Sequence, residues 1–376
     1  MIVVATAAVA SGSAHAQSSS VTLYGVIDVG IDFTNNSGGK QLFKMQDGTY
    51  DGMYGSRWGL KGEEDLGGGL KAIFKLENGF NLNNGTLGQG GREFGRQAWV
   101  GLSDARFGTV TLGRQYDSVV DYLQPVTMAG SWGGLAWHAS DVDNTANSFR
   151  VNNAIKYASP DLNGLTFGGM LGLSNSNAEG TSKIGTWSAG AAYSIGGLSL
   201  GASYLFAKQP ATLFPDGDYV ANTTGAAVGA AGPWSYVGNP GNEQIVGAGA
   251  TYTLGSAHLG VDYSNVKFDR ANGTTSAVKF NNYEAWGSYE FTPAATLVGG
   301  YTFTDGNIGY SSAKPKYHQF NLLADYKVSK RTEAYLSAAY EIAAGGQPAS
   351  IFDGVIGNAS STNHQFAMRV GIVHKF

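Results

Sequence analysis

From Val21 onward the chain alternates. In VTLYGVIDVGIDF, Val21, Leu23, Ile27, Val29, Ile31 and Phe33 take one face and Thr22, Tyr24, Asp28 and Asp32 the other, the period of two that belongs to strands. YGSRWGLKGEED sets Trp58 and Leu60 opposite Arg57 and Lys61. After the turn LGGG, LKAIFKLENGFNL sets Leu70, Ala72, Phe74 and Leu76 opposite Lys71, Lys75 and Glu77. The pattern continues through REFGRQAWVGL, FGTVTLGRQ, FRVNNAIKY, GLTFGGMLGLS, GTWSAGAAYSI, GLSLGASYLF, QIVGAGATYTL, AHLGVDYSNVKF, NNYEAWGSYEF, ATLVGGYTFT, YHQFNLLADYKV, TEAYLSAAYEI and HQFAMRVGIVHKF. These segments make about sixteen strands, close to the roughly 9 to 11 residues that a tilted strand needs to cross a bilayer. No helix-period segment or heptad stands out, so the chain reads as one all-β domain.

The connections alternate in length. Short turns at Asp65 to Gly69, Asp104 to Gly108, Ser159 to Gly164, Gly196 to Gly197, Gly255 to Ser256, Thr292 to Pro293 and Ser329 to Arg331 take turns with long ones such as Gln209 to Asn242. Outer-membrane barrels have this asymmetry between periplasm and exterior. An antiparallel barrel also solves the membrane problem, because only closure removes the unpaired edges of a sheet in hydrocarbon. Tyr157, Phe167, Trp187, Tyr193, Tyr204, Tyr252, Tyr289, Phe291, Tyr301, Phe303, Tyr326 and Tyr340 fall near the ends of the strands, where interfacial girdles belong.

One connection is out of scale. Tyr116 to Ser148 joins two strands by a segment far longer than a hairpin loop, and loops of that length are usually functional or disordered. Asp117, Asp121, Asp141 and Asp143 make it acidic, while Tyr122, Leu123, Pro125, Trp132, Leu135 and Trp137 make it too apolar for a disordered tail. It calls for an enclosure.

Composition sharpens this picture. Among 376 residues, 56 glycines and 20 tyrosines against 9 prolines and 14% charged residues argue for many short strands with tight turns. With no cysteine there is no disulfide framework, thiolate metal site or cysteine nucleophile. A net charge of -4 offers no basic face to a nucleic acid. The mean hydropathy of -0.13 looks soluble, but a barrel shows lipid only every second residue. The histidines, among them His138, His318 and His364, show no metal spacing, and Asp141 to Asp143 lacks the glycine and glutamate of an EF-hand. No catalytic elbow or phosphate loop has the strand-to-helix context it would need. Neither an enzymatic activity, a cofactor nor a metal is expected.

At the N-terminus, MIVVATAAVA followed by SGSAHA fits the end of a secretory signal with an Ala14-His15-Ala16 cleavage site but no basic n-region. The expectation is a remnant of a cleaved signal over residues 1–16, with a precursor start further upstream, and a single outer-membrane barrel over 17–376. No later apolar run is long enough for a transmembrane helix.

SVTLYGVIDVGI, SRWGLKGEEDLGGGLKAIFKLENGFNLNNG, RQAWVGLSDARFGTVTLGRQYDSVVDY and the terminal VGIVHKF together resemble the general porins of Gram-negative bacteria, of the β-proteobacterial type. The resemblance covers essentially Ser18 to Phe376. It implies a transmembrane barrel of 16 strands assembled as a homotrimer in the outer membrane, in contact with lipid and lipopolysaccharide. The third loop, here 116–148, would fold into the lumen as a constriction. Phe376, in a strand with Phe366, Met368, Val370 and Ile372 outward, resembles the family's signal to the barrel-assembly machinery.

In this family a basic cluster on the wall faces acids on the third loop. By matched motifs the arginines of SRWGLKG, GRQAWVGL and FRVNNAIKY are Arg57, Arg96 and Arg150, and periodicity points them inward because Trp58, Trp99 and Val151 take the other face. Arg114 stands at the start of the loop, and Lys61, Lys71 and Lys75 extend the basic side. Asp117 and Asp121 match the start of the family's loop. The Pro-Glu-Phe-Gly tip of enterobacterial relatives is missing, so the acid facing the arginines stays open among Asp121, Asp141 and Asp143. The expected function is passive diffusion of small hydrophilic solutes and ions through a water-filled channel, selected by size and charge and leaning toward anions. The alternatives are a substrate-specific porin with a saturable lumen site, and a secreted β-rich adhesin.

Overall fold

The computed structural model describes residues 19–175, 183–214, 232–351 and 357–376; the expected signal remnant, 1–16, lies outside them. Its strands are β1 Ser19–Ser37, β2 Lys40–Asp47, β3 Arg57–Gly67, β4 Leu70–Gly79, β5 Gln97–Asp104, β6 Gly108–Gln115, β7 Val151–Ala158, β8 Leu165–Leu173, β9 Ile184–Ile195, β10 Leu198–Lys208, β11 Asn242–Leu254, β12 Ala257–Asp269, β13 Val278–Thr292, β14 Ala295–Ile308, β15 Lys316–Lys327, β16 Thr332–Ala344 and β17 His364–Lys375.

From β3 on, each strand pairs antiparallel with the next, and β17 returns to pair with β1 from Val26↔Lys375 to Thr34↔Ala367. On its other edge β1 meets two partners, β3 along Ser19 to Val26 and β2 along Val29 to Ser37. β2 and β3 therefore share one barrel position, and the sheet closes as a 16-stranded antiparallel barrel. The break between them is absent from the period-two reading. It is made by a short helix, α1 Gly48–Asp51, whose N-cap Asp47 accepts from Thr49 N at 2.8 Å.

The expected short turns all fall between paired strands. At Gly196–Gly197 and Gly255–Ser256 only two residues join the strands, and Gly196 (φ 58°) and Gly255 (φ 60°) supply the left-handed backbone that such turns need. Alternation sorts the faces as expected. On β12, Leu259, Val261 and Tyr263 are exposed outward while Asp262 and Ser264 are buried. Tyr157, Phe167, Trp187, Tyr252, Tyr289, Phe291, Tyr326 and Tyr340 are exposed on the outer face. Phe376 is also exposed, its backbone paired with Gly25.

The core of this barrel is its third loop. Val119, Leu123 and Val126 pack inside the lumen on Met170, Leu205, Ile245 and Val266, inward residues of β8, β10, β11 and β12. Wall glycines make the approach possible: a methyl group on Gly201 would lie 2.0 Å from Tyr122 O, and one on Gly247 2.4 Å from Leu123. Polar ties complete the docking. Ser118 and Ser188 share a hydrogen bond at 2.9 Å, Trp286 Nε1 donates to Val126 O at 3.2 Å, and Gln319 Nε2 donates to Leu135 O at 2.8 Å.

Candidate functional site

The loop leaves open a cavity of about 580 Å³ against the opposite wall, lined by Arg57, Lys75, Glu77, Arg96, Tyr116, Arg150 and loop residues including Trp132, Trp137, Asn147 and Ser148. Arg57 opens β3 and donates from Nη1 to Gly55 O at 3.0 Å. Lys75 and Glu77 point inward from β4. Arg96 and Arg150 do not lie on strands; each immediately precedes one and reaches the lumen from the end of a loop.

Glu77 organises the basic groups. Arg96 Nε lies 2.9 Å from its Oε1, Lys75 Nζ 3.5 Å and Arg57 Nε 3.9 Å from its Oε2, and Tyr24 Oη donates to Oε2 at 2.8 Å. Tyr116 bridges onward, accepting from Arg96 Nη2 at 3.0 Å and donating to Glu77 Oε1 at 3.2 Å, with the Arg150 guanidinium 5.6 Å from its ring centre. Burial alone would raise the Tyr116 phenol, but the guanidinium groups, Arg96 first, bring it below the ordinary tyrosine value. Among the described residues that line the cavity, Glu77 is the one carboxylate.

Two orientations differ from the periodic expectation. Trp99 faces inward, its Nε1 donating to Gln97 Oε1 at 3.0 Å, on the face opposite the exposed Val100 and Leu102. Arg96 needed no strand phase, because it stands just outside β5. Val151 is buried with Val119 and Met170 on the lumen side. A bulge in the β6–β7 pairing, with Asn153 at φ 52°, shifts the phase of the strand there.

The loop acids are engaged elsewhere and none lines the cavity. Asp117 is fully buried, accepting from Val119 N at 2.7 Å and Asn144 Nδ2 at 2.7 Å; burial pushes its carboxyl up to about 6. Asp121 pairs with Lys156 of β7, whose Nζ also donates to Tyr116 O at 3.0 Å; its carboxyl too is raised by burial, against the pull of Lys156. Asp141 caps the end of the loop, accepting from Ala146 N at 2.7 Å and Ser148 Oγ at 2.6 Å. Asp143 meets His138 at 2.6 Å. Arg114 is buried at the end of β6 outside the cavity lining, donating to Gly95 O at 2.7 Å and Asn152 Oδ1 at 2.6 Å. Of the lysines, Lys75 joins the cluster, Lys61 lies 5.7 Å over the Tyr24 ring, and Lys71 pairs with Glu63 at the exposed end of the hairpin.

A second buried network was invisible in the sequence. Arg369 of β17 is fully buried and donates to Asp32 Oδ1 at 2.9 Å and Asp51 Oδ1 at 2.6 Å, lies 3.4 Å from Asp28 Oδ1, and donates from Nε to Tyr335 Oη at 2.6 Å. It clamps the β1–β17 closure and α1 to one another.

A family profile described as Gram-negative porin matches residues 3–342. An outer membrane porin protein of Bordetella pertussis is 30% identical over 97% of this chain and 96% of its own length. Outer membrane porin protein 32 of Delftia acidovorans is 30% identical over 98% and 97%. Among solved structures, the anion-selective porin from Comamonas acidovorans superposes with a TM-score of 0.74 at 26% identity, covering 96% of this chain and all (100%) of that one. The trimer form of OmpT of Vibrio cholerae, at 16% identity, has a TM-score of 0.68 and shares the fold, over 95% of this chain and 99% of that one. With the closed 16-stranded barrel matching porin structures, the chain belongs to the Gram-negative porins of β-proteobacterial type and is an integral protein of the outer membrane.

Proposed function

We propose that the cavity ringed by Arg57, Lys75, Arg96 and Arg150 is the charge-selecting section of a water-filled channel for passive diffusion of small hydrophilic solutes, and that it prefers anions. The observation that carries this reading is the imbalance of charge: the described residues that line the cavity include four cationic side chains and one carboxylate, Glu77, with which Arg57, Lys75 and Arg96 pair. In a water-filled lumen each unit of net charge acts on an ion about 4 Å away with roughly 1 kcal/mol, and more where the wall lowers the effective dielectric. Summed over the ring, the field draws anions in and holds cations back.

The selecting field on this reading belongs to the wall, while the loop supplies a neutral floor and narrows the bore. Trp132 and Trp137 contribute apolar surface, and Asn147 and Ser148 polar surface, so passing solutes are sorted by size as well as charge. The Comamonas acidovorans relative is named for its anion selectivity, which agrees with this reading. We further propose that the protein works as a homotrimer, in keeping with the trimer form of its Vibrio cholerae neighbour. Zero-current potentials across a planar bilayer under a salt gradient test the preference, and stepwise insertion and closure in threes tests the assembly.

A further inference from the structure

The third loop buries a group of side chains that the channel does not use. His138 is 1% exposed, and its Nδ1 lies 2.6 Å from Asp143 Oδ2. That oxygen also accepts from Asn282 Nδ2 at 3.2 Å and from the Ser264 hydroxyl, and Asp143 Oδ1 accepts from Thr145 Oγ1 at 2.9 Å. A carboxylate surrounded by donors in this way takes a proton from Nδ1, so a neutral imidazole here carries its lone pair on Nε2. Nε2 faces two further acids on the barrel wall, 3.3 Å from Asp262 Oδ1 of β12 and 3.8 Å from Glu284 Oε2 of β13.

With the ring neutral, no donor closes that meeting. His138 Nε2 and both oxygens of Asp262 are buried without a hydrogen-bond partner, and a buried lone pair against two carboxylates is repulsive unless a positive charge lies between them. One donor atom from each of the three residues lies within 4.8 Å of the other two. Ligands bound at about 2.1 Å in tetrahedral geometry stand roughly 3.4 Å apart, so the observed spacings suit a single ion.

We propose that His138 Nε2, Asp262 and Glu284 Oε2 bind one first-row divalent cation, for which Zn²⁺ is the probe, and that this ion fastens the third loop to β12 and β13. One imidazole with two carboxylates is a borderline donor set that takes zinc or manganese readily, and the two acids balance its charge. Asp143 is the orienting carboxylate that stands behind many metal-bound histidines. Glu284 is steadied in turn, accepting from Met128 N at 2.7 Å on Oε1 and from Thr302 Oγ1 at 3.3 Å on Oε2. The site ties the middle of the loop to the wall and is separate from the arginine ring.

The full-length protein, refolded in detergent after treatment with EDTA, is equilibrated with Zn²⁺, desalted and measured for zinc by mass spectrometry, with a heat-modifiable gel shift verifying the closed barrel. The expected result is one zinc per chain, reduced by about tenfold or more in Asp262→Asn and His138→Gln. Should Asp262→Asn fail to close, His138→Gln decides, since it leaves both wall acids in place. Zinc no higher than in the stripped protein overturns the proposal, and a proton on His138 then separates the acids. Undiminished zinc in the closed variants overturns it equally, because the ion then binds elsewhere.

Discussion

Arg96 Nε lies 2.9 Å from Glu77 Oε1, so the acid that faces the basic wall of the lumen belongs to that wall and not to the inserted loop. Glu77 compensates one of the surrounding positive charges and fixes the geometry of the rest. Glu77→Gln should therefore raise the anion-to-cation permeability ratio severalfold, on the order of 1 kcal/mol per charge removed at this distance. Bi-ionic potentials of single channels measure it. An unchanged ratio would mean that Glu77 is silent in the field.

Lys156 holds the start of the loop through Asp121 and the Tyr116 carbonyl. With Lys156→Gln, the half-buried Asp121 carboxylate loses its partner, and the segment that carries Tyr116 loosens by about 1 kcal/mol or more. Open-channel current noise should rise in this variant and fall back in the double variant Lys156→Gln with Asp121→Asn. Equal noise in all three proteins would rule the latch out.

Asp117 gives the docking of the loop a pH dependence with a definite sign. Burial raises its carboxyl to about 6 from an ordinary 3.8, so the folded protein holds this proton more tightly than the unfolded chain. The resulting stabilisation is full below about pH 4 and is lost as the pH rises through about 6. Protease protection of the third loop should accordingly weaken from pH 4 to 7 in the wild type and lose that slope in Asp117→Asn. A slope of the opposite sign would refute the assignment.

Arg369→Met leaves Asp28, Asp32 and Asp51 buried without their shared cation. Removing one partner of such a network costs about 3–5 kcal/mol, and the cost falls on the seam where β17 meets β1. The temperature at which the folded band disappears on a gel without boiling should drop clearly below that of the wild type. No drop would assign barrel closure to backbone pairing alone.

The strands were legible in the sequence because one face meets apolar surroundings and the other water, which forces a period of two at Leu259, Val261 and Tyr263 as much as at Asp262 and Ser264. The long loop was legible from its length and mixed composition, and its place in the lumen follows from apolar residues such as Leu123 that need cover. Arg57 was readable from strand phase. For Arg96 and Arg150 the phase argument through Trp99 and Val151 does not hold, since both arginines stand outside strands and a bulge reverses Val151. The partnership of Glu77 with Arg96, and that of Arg369 with acids more than 300 residues away, exist only once the barrel has closed. The loop acids did carry a local signal. Asp141 and Asp143, followed by Asn144, Thr145, Asn147 and Ser148, make a run of residues that commonly satisfy their own backbone in turns, as Asp141 does with Ala146 and Ser148.

On the proposed function, Arg57, Arg96 and Arg150 set the selectivity of the channel. The most direct measurement is the reversal potential in planar bilayers under a KCl gradient at low ionic strength, where screening is weakest, for the wild type and for Arg57→Gln, Arg96→Gln and Arg150→Gln combined. The expected result is an anion-side potential in the wild type that moves decisively toward the cation side in the triple variant. A cation-side potential in the wild type, or a triple variant with the potential of the wild type, would contradict it.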